Sequence, residues 1–239
     1  ASRLVLRGIR PRRDPRTPRT DGIIMAKDKI PRNLSEGCKL CYQGAKLVLF
    51  ISGLCDRTCW YCPLSEERKD VDVIFANDQK ITTPEEAIEE AEIMDALGTG
   101  VTGGEPLLVI ERVVEFCTAL KKHFGEDHHI HLYTGRAPTE EDLAALQPCV
   151  DEIRMHPPHE EWSRIMESDY PKSIAAAKRM GFSVGIEVPS LQGLRHFFPL
   201  FDSLDFFNIN QLEWGDACAE AMRLRKLEPI NPLCNAIKG

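Results

Sequence analysis

The residues of this 239-residue chain that most clearly indicate a chemical role are three cysteines in the segment CDRTCWYC, residues 55–62. Cys55, Cys59 and Cys62 have the spacing C-x3-C-x2-C. A structural zinc ion takes four ligands, usually from paired C-x2-C units, and an ordinary four-iron cluster also takes four thiolates. Three neighbouring thiols therefore favour an iron–sulfur cluster in which one iron is left open for another ligand.

The composition limits the class of protein. The chain is 43% hydrophobic, as globular proteins are, and it has no apolar run long enough for a transmembrane helix. With nine cysteines and no visible export signal, we expect metal or catalytic use of thiols in a cytoplasmic protein with no membrane partner. The cysteines that fit ordinary buried thiols are Cys117, Cys149, Cys218 and Cys234.

The charge is distributed unevenly along the chain. Residues 1–24 hold seven arginines and two aspartates, so they carry +5, and the rest carries −12 of a total of −7. The negative charge of residues 25–239 argues against nucleic acid as a partner, because a polyanion would be repelled. The Arg- and Pro-rich tail, residues 1–24, is predicted to be disordered. It either binds nucleic acid or is incidental, with native translation starting at Met25.

Apolar runs and helical periodicity alternate after residue 45. The predicted strands are 45–54, 98–106, 129–135, 152–158, 182–190 and 206–213, and each precedes a predicted helix. Such alternation predicts an α/β fold with a parallel sheet and helices outside it. Six units are too few for a full eight-stranded barrel, so we expect an open (β/α)6 barrel over residues 47–239. Residues 25–46 form a preceding segment.

Chemistry in parallel α/β folds gathers where the strands end. Polar residues collect at these predicted ends: Cys55, Cys59, Cys62, Gly103, Gly104, Glu105, Tyr133, Thr134, Arg154, His156, Glu187, Asn208, Asn210 and Glu213.

The cysteine motif, with Tyr61 directly before its last cysteine, resembles that of the radical S-adenosylmethionine enzymes. The GGEP turn at residues 103–106 resembles a second motif of that family. More closely, GCKLCYQGAKLVLFISGLC, TGGEPL, HIHLYT and DEIRMHP are similar to a little-characterised archaeal group related to pyruvate formate-lyase activating enzyme. The resemblance runs from about Gly37 to the C-terminus. Members of that group are longer, so a C-terminal truncation stays open.

The resemblance implies a [4Fe–4S] cluster on Cys55, Cys59 and Cys62, with S-adenosylmethionine chelating the open iron. Gly103 and Gly104 would let backbone approach the cosubstrate closely, and the Glu105 carboxylate would accept a hydrogen bond from its ammonium group. Further cosubstrate contacts are expected from Tyr61, Arg154, His156, Glu187 and Asn208. Reductive cleavage would give a 5′-deoxyadenosyl radical that takes hydrogen from a substrate. A flavodoxin or ferredoxin would supply the electron. No catalytic side chain is predicted.

Structural roles remain open for several of these residues. Arg154 and Glu187 could form a salt bridge inside the barrel, and Asn208 could satisfy backbone groups. His129 and His131 fit hydrogen-bonded interior histidines better than metal ligands.

Cys38 and Cys41 form a C-x2-C pair before the first predicted strand. They are either half of a second metal site, with Cys234 as a candidate partner, or paired or buried thiols.

The substrate is not predicted. Glycyl-radical activation of a protein, and modification of a metabolite, a peptide or RNA, are all compatible with an oxygen-sensitive, anaerobic oxidoreductase of this kind. A radical methyltransferase would need either a further cysteine, for which Cys218 is a candidate, or a cobalamin domain. Two other classes stay open: an iron–sulfur electron carrier, which needs a fourth thiolate, and a structural zinc module.

Overall fold

The computed structural model describes residues 34–227. The predicted disordered tail, the Met25 start, the role of Cys234 and the C-terminal truncation concern residues that lie outside this range. Within it, the helices are α1 (Glu36–Tyr42), α2 (Pro84–Ile93), α3 (Ile110–Phe124), α4 (Glu140–Leu146), α5 (Tyr170–Arg179) and α6 (Asp216–Leu224). The strands are β1 (Lys46–Phe50), β2 (Ile74–Ala76), β3 (Gln79–Ile81), β4 (Gly98–Thr102), β5 (His129–Thr134), β6 (Glu152–Met155), β7 (Ser183–Pro189) and β8 (Phe206–Asn210).

All eight strands of the described region form one sheet, in the order β3-β2-β1-β4-β5-β6-β7-β8. The six predicted strands correspond to β1 and β4 to β8, and each pairs in parallel with the next. β3 and β8 are the edges of the sheet, so the barrel is open. The predicted α/β fold with an open parallel barrel is confirmed.

A hairpin that the sequence did not predict extends the sheet beyond β1. β2 pairs antiparallel with β1 through Leu49 and Ala76, and β3 pairs antiparallel with β2. Its turn places Asn77 in the left-handed region, at φ 52°. Asparagine tolerates that conformation, so the Asn77–Asp78 pair was the available turn signal.

Two segments that the sequence predicts as helices, residues 159–180 and 191–204, are not continuous α-helices. Residues 159–180 divide into a 3₁₀ segment, His159–Glu167, and α5, which has Pro171 in its first turn. Residues 191–204 contain only a 3₁₀ segment, Leu194–Ser203, with Pro199 inside it. Proline lacks the N–H that a helix interior requires, so this stretch does not settle into an α-helix. A further 3₁₀ turn, Pro106–Val109, joins β4 to α3.

The two faces of the parallel strands differ in chemistry, because successive side chains point to opposite faces. The outer face packs under the helices through buried apolar residues: Leu47, Leu49, Ile130, Leu132, Ile153, Met155, Val184 and Ile186. The inner face is polar: Lys46, His131, Tyr133, Glu152, Arg154, Glu187 and Asn208.

Helix α1 enters this polar interior. A Cβ atom on Gly37 would lie 2.5 Å from His131 Nδ1 and 2.6 Å from Arg154 Nη2. Glycine is therefore required for α1 to pack this closely on β5 and β6. Among the described residues, no helix combines the length and apolar character needed to cross a membrane.

Candidate functional site

The three-cysteine loop follows the C-terminal end of β1, as the sequence predicted. Cys55, Cys59 and Cys62 are partly buried and carry free thiols. They line one open pocket of about 400 Å³, whose wall includes small residues of α6, Ala217 and Ala221. The fold thus brings the three thiols to a single concave site.

Ion pairs and aromatic packing hold this loop in place. The Asp56 carboxylate accepts from Arg136 at 2.6 Å, and Arg57 donates to Glu161 at 2.8 Å. These pairs join the loop to the segments that follow β5 and β6. The guanidinium of Arg225 lies 4.2 Å from the ring centre of Trp60.

Helix α6 supports the loop from one side, a relation that sequence spacing could not predict. The buried Tyr61 ring packs with Cys218 and Met222 of α6. The Cys218 thiol is buried and donates to Gly215 O at 3.4 Å. Cys218, a candidate methyl-carrying thiol, thus lies in the apolar contact between loop and helix.

Tyr61 also connects the loop to β6 and β7. Its hydroxyl lies 3.2 Å from His156 Nε2, and His156 Nδ1 lies 2.8 Å from Glu187 O. A carbonyl oxygen only accepts, so Nδ1 carries the proton and Nε2 accepts from the Tyr61 hydroxyl. Burial lowers the pKa of His156, which keeps the ring neutral. The neutral histidine therefore fixes the orientation of Tyr61.

The Gly103–Gly104 turn packs directly on the start of the thiol loop. Gly104 N donates to Ser52 O at 2.8 Å, and Glu105 N donates to Leu54 O at 2.7 Å. A Cβ on Gly104 would lie 2.3 Å from Leu54 O, and one on Gly103 would lie 2.3 Å from Ser52 O. This close approach of two backbones is one reason for the glycines, and their contact with a cosubstrate stays a prediction.

The Glu105 side chain is buried and points into the junction between β4 and β5. Its carboxylate accepts from Leu107 N at 3.1 Å, Thr134 Oγ1 at 2.8 Å and Gly135 N at 2.8 Å. Burial raises its pKa despite these bonds. A carboxylate offers about four acceptor positions, so capacity for one further donor remains.

Arg154 and Glu187, both predicted as cosubstrate contacts, form a salt bridge of 2.9 Å inside the barrel. The Glu187 carboxylate accepts from four side chains: Tyr133 Oη, Arg154 Nη1, Asn208 Nδ2 and Asn210 Nδ2. Desolvation alone would raise the pKa of Glu187, but Arg154 and the amides outweigh it and lower the pKa. The network shows the salt bridge that the sequence left open, and the cosubstrate contacts remain predictions.

The interior histidines have no arrangement typical of metal ligands. His129 Nδ1 lies 2.9 Å from Lys46 Nζ, and His131 Nδ1 is buried without a hydrogen-bond partner among the described residues. Over residues 34–227, no three His, Cys, Asp or Glu side chains converge on one ion position. The second metal site proposed for Cys38 and Cys41 therefore gains no third ligand within this range.

The sequence profile of the Radical SAM superfamily, where SAM is S-adenosylmethionine, matches residues 49–190. This range holds all three loop cysteines and the Gly103–Glu105 turn. This chain belongs to the radical SAM superfamily. Radical SAM proteins are enzymes whose chemistry uses a [4Fe–4S] cluster and S-adenosylmethionine.

One protein similar to this chain is from Methanocaldococcus jannaschii and is named "Putative glycyl-radical enzyme activating enzyme". It is 42% identical over an alignment of 227 positions, and the match covers 89% of this chain and 58% of the relative. This chain thus spans a little over half of that relative's length. The radical SAM group described from the sequence, related to pyruvate formate-lyase activating enzyme, is confirmed at this level.

Solved structures of Streptococcus suis SuiB share the fold. SuiB bound to precursor peptide SuiA matches with a TM-score of 0.51 at 14% identity, over 71% of this chain and 39% of SuiB. SuiB alone matches with a TM-score of 0.51 at 14% identity, over 76% of this chain and 45% of SuiB. At this identity the likeness concerns the radical SAM fold alone.

Proposed function

We propose that this chain holds a [4Fe–4S] cluster on Cys55, Cys59 and Cys62 and cleaves S-adenosylmethionine reductively. The observation that supports this most directly is the convergence of three free thiols on one pocket beside the Gly103–Glu105 turn.

The donor set fits a cluster better than a zinc ion. Tetrahedral zinc with Zn–S distances of about 2.3 Å requires sulfurs about 3.8 Å apart. Within residues 34–227 no three ligands converge on a single ion position. A polynuclear cluster accepts cysteines that are spread further apart. The zinc module considered from the sequence is therefore disfavoured.

The pocket is bordered by charged side chains of both signs: Arg57 and Lys69, and Asp56 and Asp70. The Nε–H of Arg57 is buried and has no hydrogen-bond partner in the described part of the chain, although Asp56 Oδ1 lies 3.8 Å away. This N–H group can therefore donate to an anionic cluster. Burial raises the pKa of the Cys59 thiol to about 11, so Cys59 carries its proton in the free chain and would release it on binding iron.

A [4Fe–4S] cluster held by Cys55, Cys59 and Cys62 would supply the electron for reductive cleavage of S-adenosylmethionine, and so the radical chemistry by which hydrogen would be taken from the substrate. Tyr61 and α6 hold the thiol loop in place. The hydrogen bonds from Gly104 and Glu105 to Ser52 and Leu54 set the loop against β4. We assign the remaining acceptor capacity of Glu105 to the ammonium group of S-adenosylmethionine.

The electron-carrier alternative would need a fourth cysteine at the pocket. Cys55, Cys59 and Cys62 are the cysteines that line the pocket among the described residues, so no fourth thiolate is found there. With three protein ligands, one iron stays open for the cosubstrate.

The substrate that we propose is a glycine residue of a partner protein, because the similar protein of Methanocaldococcus jannaschii is named as a glycyl-radical enzyme activating enzyme. A flavodoxin or ferredoxin would provide the electron. An oxygen-sensitive cluster favours the reducing cytoplasm.

The test is anaerobic reconstitution with iron and sulfide, reduction with dithionite, and chromatography for 5′-deoxyadenosine. We expect slow cleavage of S-adenosylmethionine even without substrate, and none from the Cys59→Ala variant. Cys117→Ala, which removes a thiol from the core, is the matched control and should retain cleavage. A protein with its full iron content that forms no 5′-deoxyadenosine would contradict the proposal. Deuterated candidate substrates would then identify the source of the abstracted hydrogen.

A further inference from the structure

Among the described residues, Cys38 and Cys41 are the cysteines that the proposed cluster does not use and that solvent can reach. They lie three positions apart on α1, so their side chains share one face of the helix. Cys41 is exposed and Cys38 is partly buried. Residues three apart in an α-helix have Cα atoms about 5 Å apart, within the range that a disulfide spans. Their Cβ atoms are about 5–6 Å apart and must approach to about 4 Å, so closing the bond requires a local distortion of α1.

The Cys38 sulfur receives two hydrogen bonds from the barrel interior. Arg154 Nη2 and Asn208 Nδ2 each donate to Cys38 Sγ at 3.3 Å. The first donor is charged, and N–H donors with positive charge stabilise a thiolate. Cys38 therefore sits where a sulfur that must carry negative charge during an exchange reaction is supported.

Cys41 offers access and lies within electrostatic reach of Cys38. The pKa of the Cys41 thiol is raised, mainly by desolvation, and the nearby Lys46 and Arg154 offset this only in part, while Cys38 adds to it. Within residues 34–227, no third ligand joins the pair. A pair of close thiols, one accessible and one supported by donors, is the arrangement of a redox-active dithiol.

We infer that Cys38 and Cys41 form a thiol–disulfide exchange site for an external disulfide. The Cys41 thiolate attacks one sulfur of the external disulfide, a mixed disulfide forms, and the first thiolate leaves. Cys38 then attacks the Cys41 sulfur and displaces the second thiol. The chain loses two electrons and two protons, and the external disulfide is reduced to two thiols.

Oxidation also acts on the barrel interior. The Cys38 sulfur must turn from Arg154 and Asn208 toward Cys41 to form the bond. The oxidised chain therefore loses two of the contacts that tie α1 to β6 and β8. This inference goes beyond the proposed function and does not depend on it, because its measurements do not involve S-adenosylmethionine.

The experiment exposes the full chain, with its iron reconstituted anaerobically, to defined ratios of reduced and oxidised glutathione. Acid then stops the exchange and unfolds the chain, the remaining thiols are alkylated after return to near-neutral pH in denaturant, and peptides are mapped by mass spectrometry. We expect a Cys38–Cys41 disulfide, seen as a loss of two hydrogen masses from the peptide that holds both residues. In Cys38→Ser, the reaction should stop with one glutathione on Cys41. In Cys41→Ser, neither a disulfide nor glutathione should accumulate at residue 38.

The buried pair Cys117 and Cys149 provides an internal control, because both thiols are shielded from solvent. These two should be alkylated only after acid unfolding at every glutathione ratio. The midpoint of denaturant unfolding should fall on oxidation of the wild-type chain and stay constant in Cys41→Ser. Wild-type chains that keep both α1 thiols free, or that carry two glutathiones, under strongly oxidising ratios would overturn the inference. So would a disulfide that leaves the unfolding midpoint unchanged.

Discussion

The thiol loop and the polar interior network differ in what their side chains face. In the network, all five N–H groups of Arg154 have acceptors: Glu152, Tyr133, Glu187, Ser35 and Cys38. Its buried atoms without a hydrogen-bond partner among the described residues are His131 Nδ1 and Glu152 Oε2. In the loop, three thiols face an open pocket, and the nearby Arg57 Nε–H has no hydrogen-bond partner in the described residues. The network is thus enclosed and largely paired within the chain, whereas the loop borders a pocket that a ligand can enter.

The largest effect should follow from removing a loop thiol. Cys59→Ser should abolish the site-differentiated cluster, because three thiolates are needed to hold it. Iron content, visible absorption and paramagnetic resonance of the reduced protein would measure this. We expect cleavage of S-adenosylmethionine to fall to background. Cys117→Ser, in the core, should keep the spectrum. A Cys59→Ser protein that binds four irons and stays active would refute the difference drawn between loop and network.

The next largest effect concerns the network. Arg154→Met leaves Glu187 and Glu152 buried without their cationic partner, and breaking a buried ion pair in this way typically costs about 3–5 kcal/mol. Denaturant unfolding should show a loss of that order. Adding Glu187→Gln should restore part of it, since one unpaired buried charge is then removed. Arg154→Met with unchanged stability but weakened cosubstrate binding would instead make Arg154 a ligand contact.

A third prediction uses pH to probe the same interior. Lys46 is buried beside His129, and burial lowers its pKa from 10.5 to about 8. Between these two values the unfolded chain binds a proton that the folded chain has released, so stability rises with pH. The difference in the free energy of unfolding between the wild-type chain and Lys46→Met should change by on the order of 2–3 kcal/mol across this pH window. Thiols and tyrosines titrate in both proteins, so their contributions cancel in this difference. Parallel pH profiles of stability for the two proteins would therefore contradict a lowered pKa of Lys46.

The sequence could predict the six parallel strands because each is a short segment of continuous or alternating apolar residues that ends at a turn. Cys55, Cys59 and Cys62 could be predicted because adjacent spacing alone defines them. The β2–β3 hairpin was missed, since strands of three residues such as Ile74–Ala76 are too short for a periodic signal.

The interior pairings could not be predicted, because strand register and the insertion of α1 decide them. Cys38 and Asn208 lie 170 residues apart in sequence, yet their side chains are in contact. The packing of Tyr61 on Cys218 and Met222 likewise depends on where α6 returns across the loop. Local sequence patterns do not determine which residues far apart in the chain come into contact.

The smallest effect should come from Tyr61→Phe, which tests whether the two regions are coupled. Tyr61 belongs to the thiol loop, and its hydroxyl donates to His156, whose other nitrogen donates to the carbonyl of Glu187 in the network. Removing the hydroxyl leaves His156 Nε2 buried without a partner, which should cost about 1–2 kcal/mol in the free energy of unfolding. Tyr42→Phe is the matched control, because that side chain is half exposed on α1 and should change stability little. The reduced cluster of Tyr61→Phe should also show an altered resonance spectrum, since the aromatic ring beside Cys59 and Cys62 is freer to move. Equal stability of the two variants with an unchanged spectrum would mean that loop and network fold independently and that His156 does not position the loop.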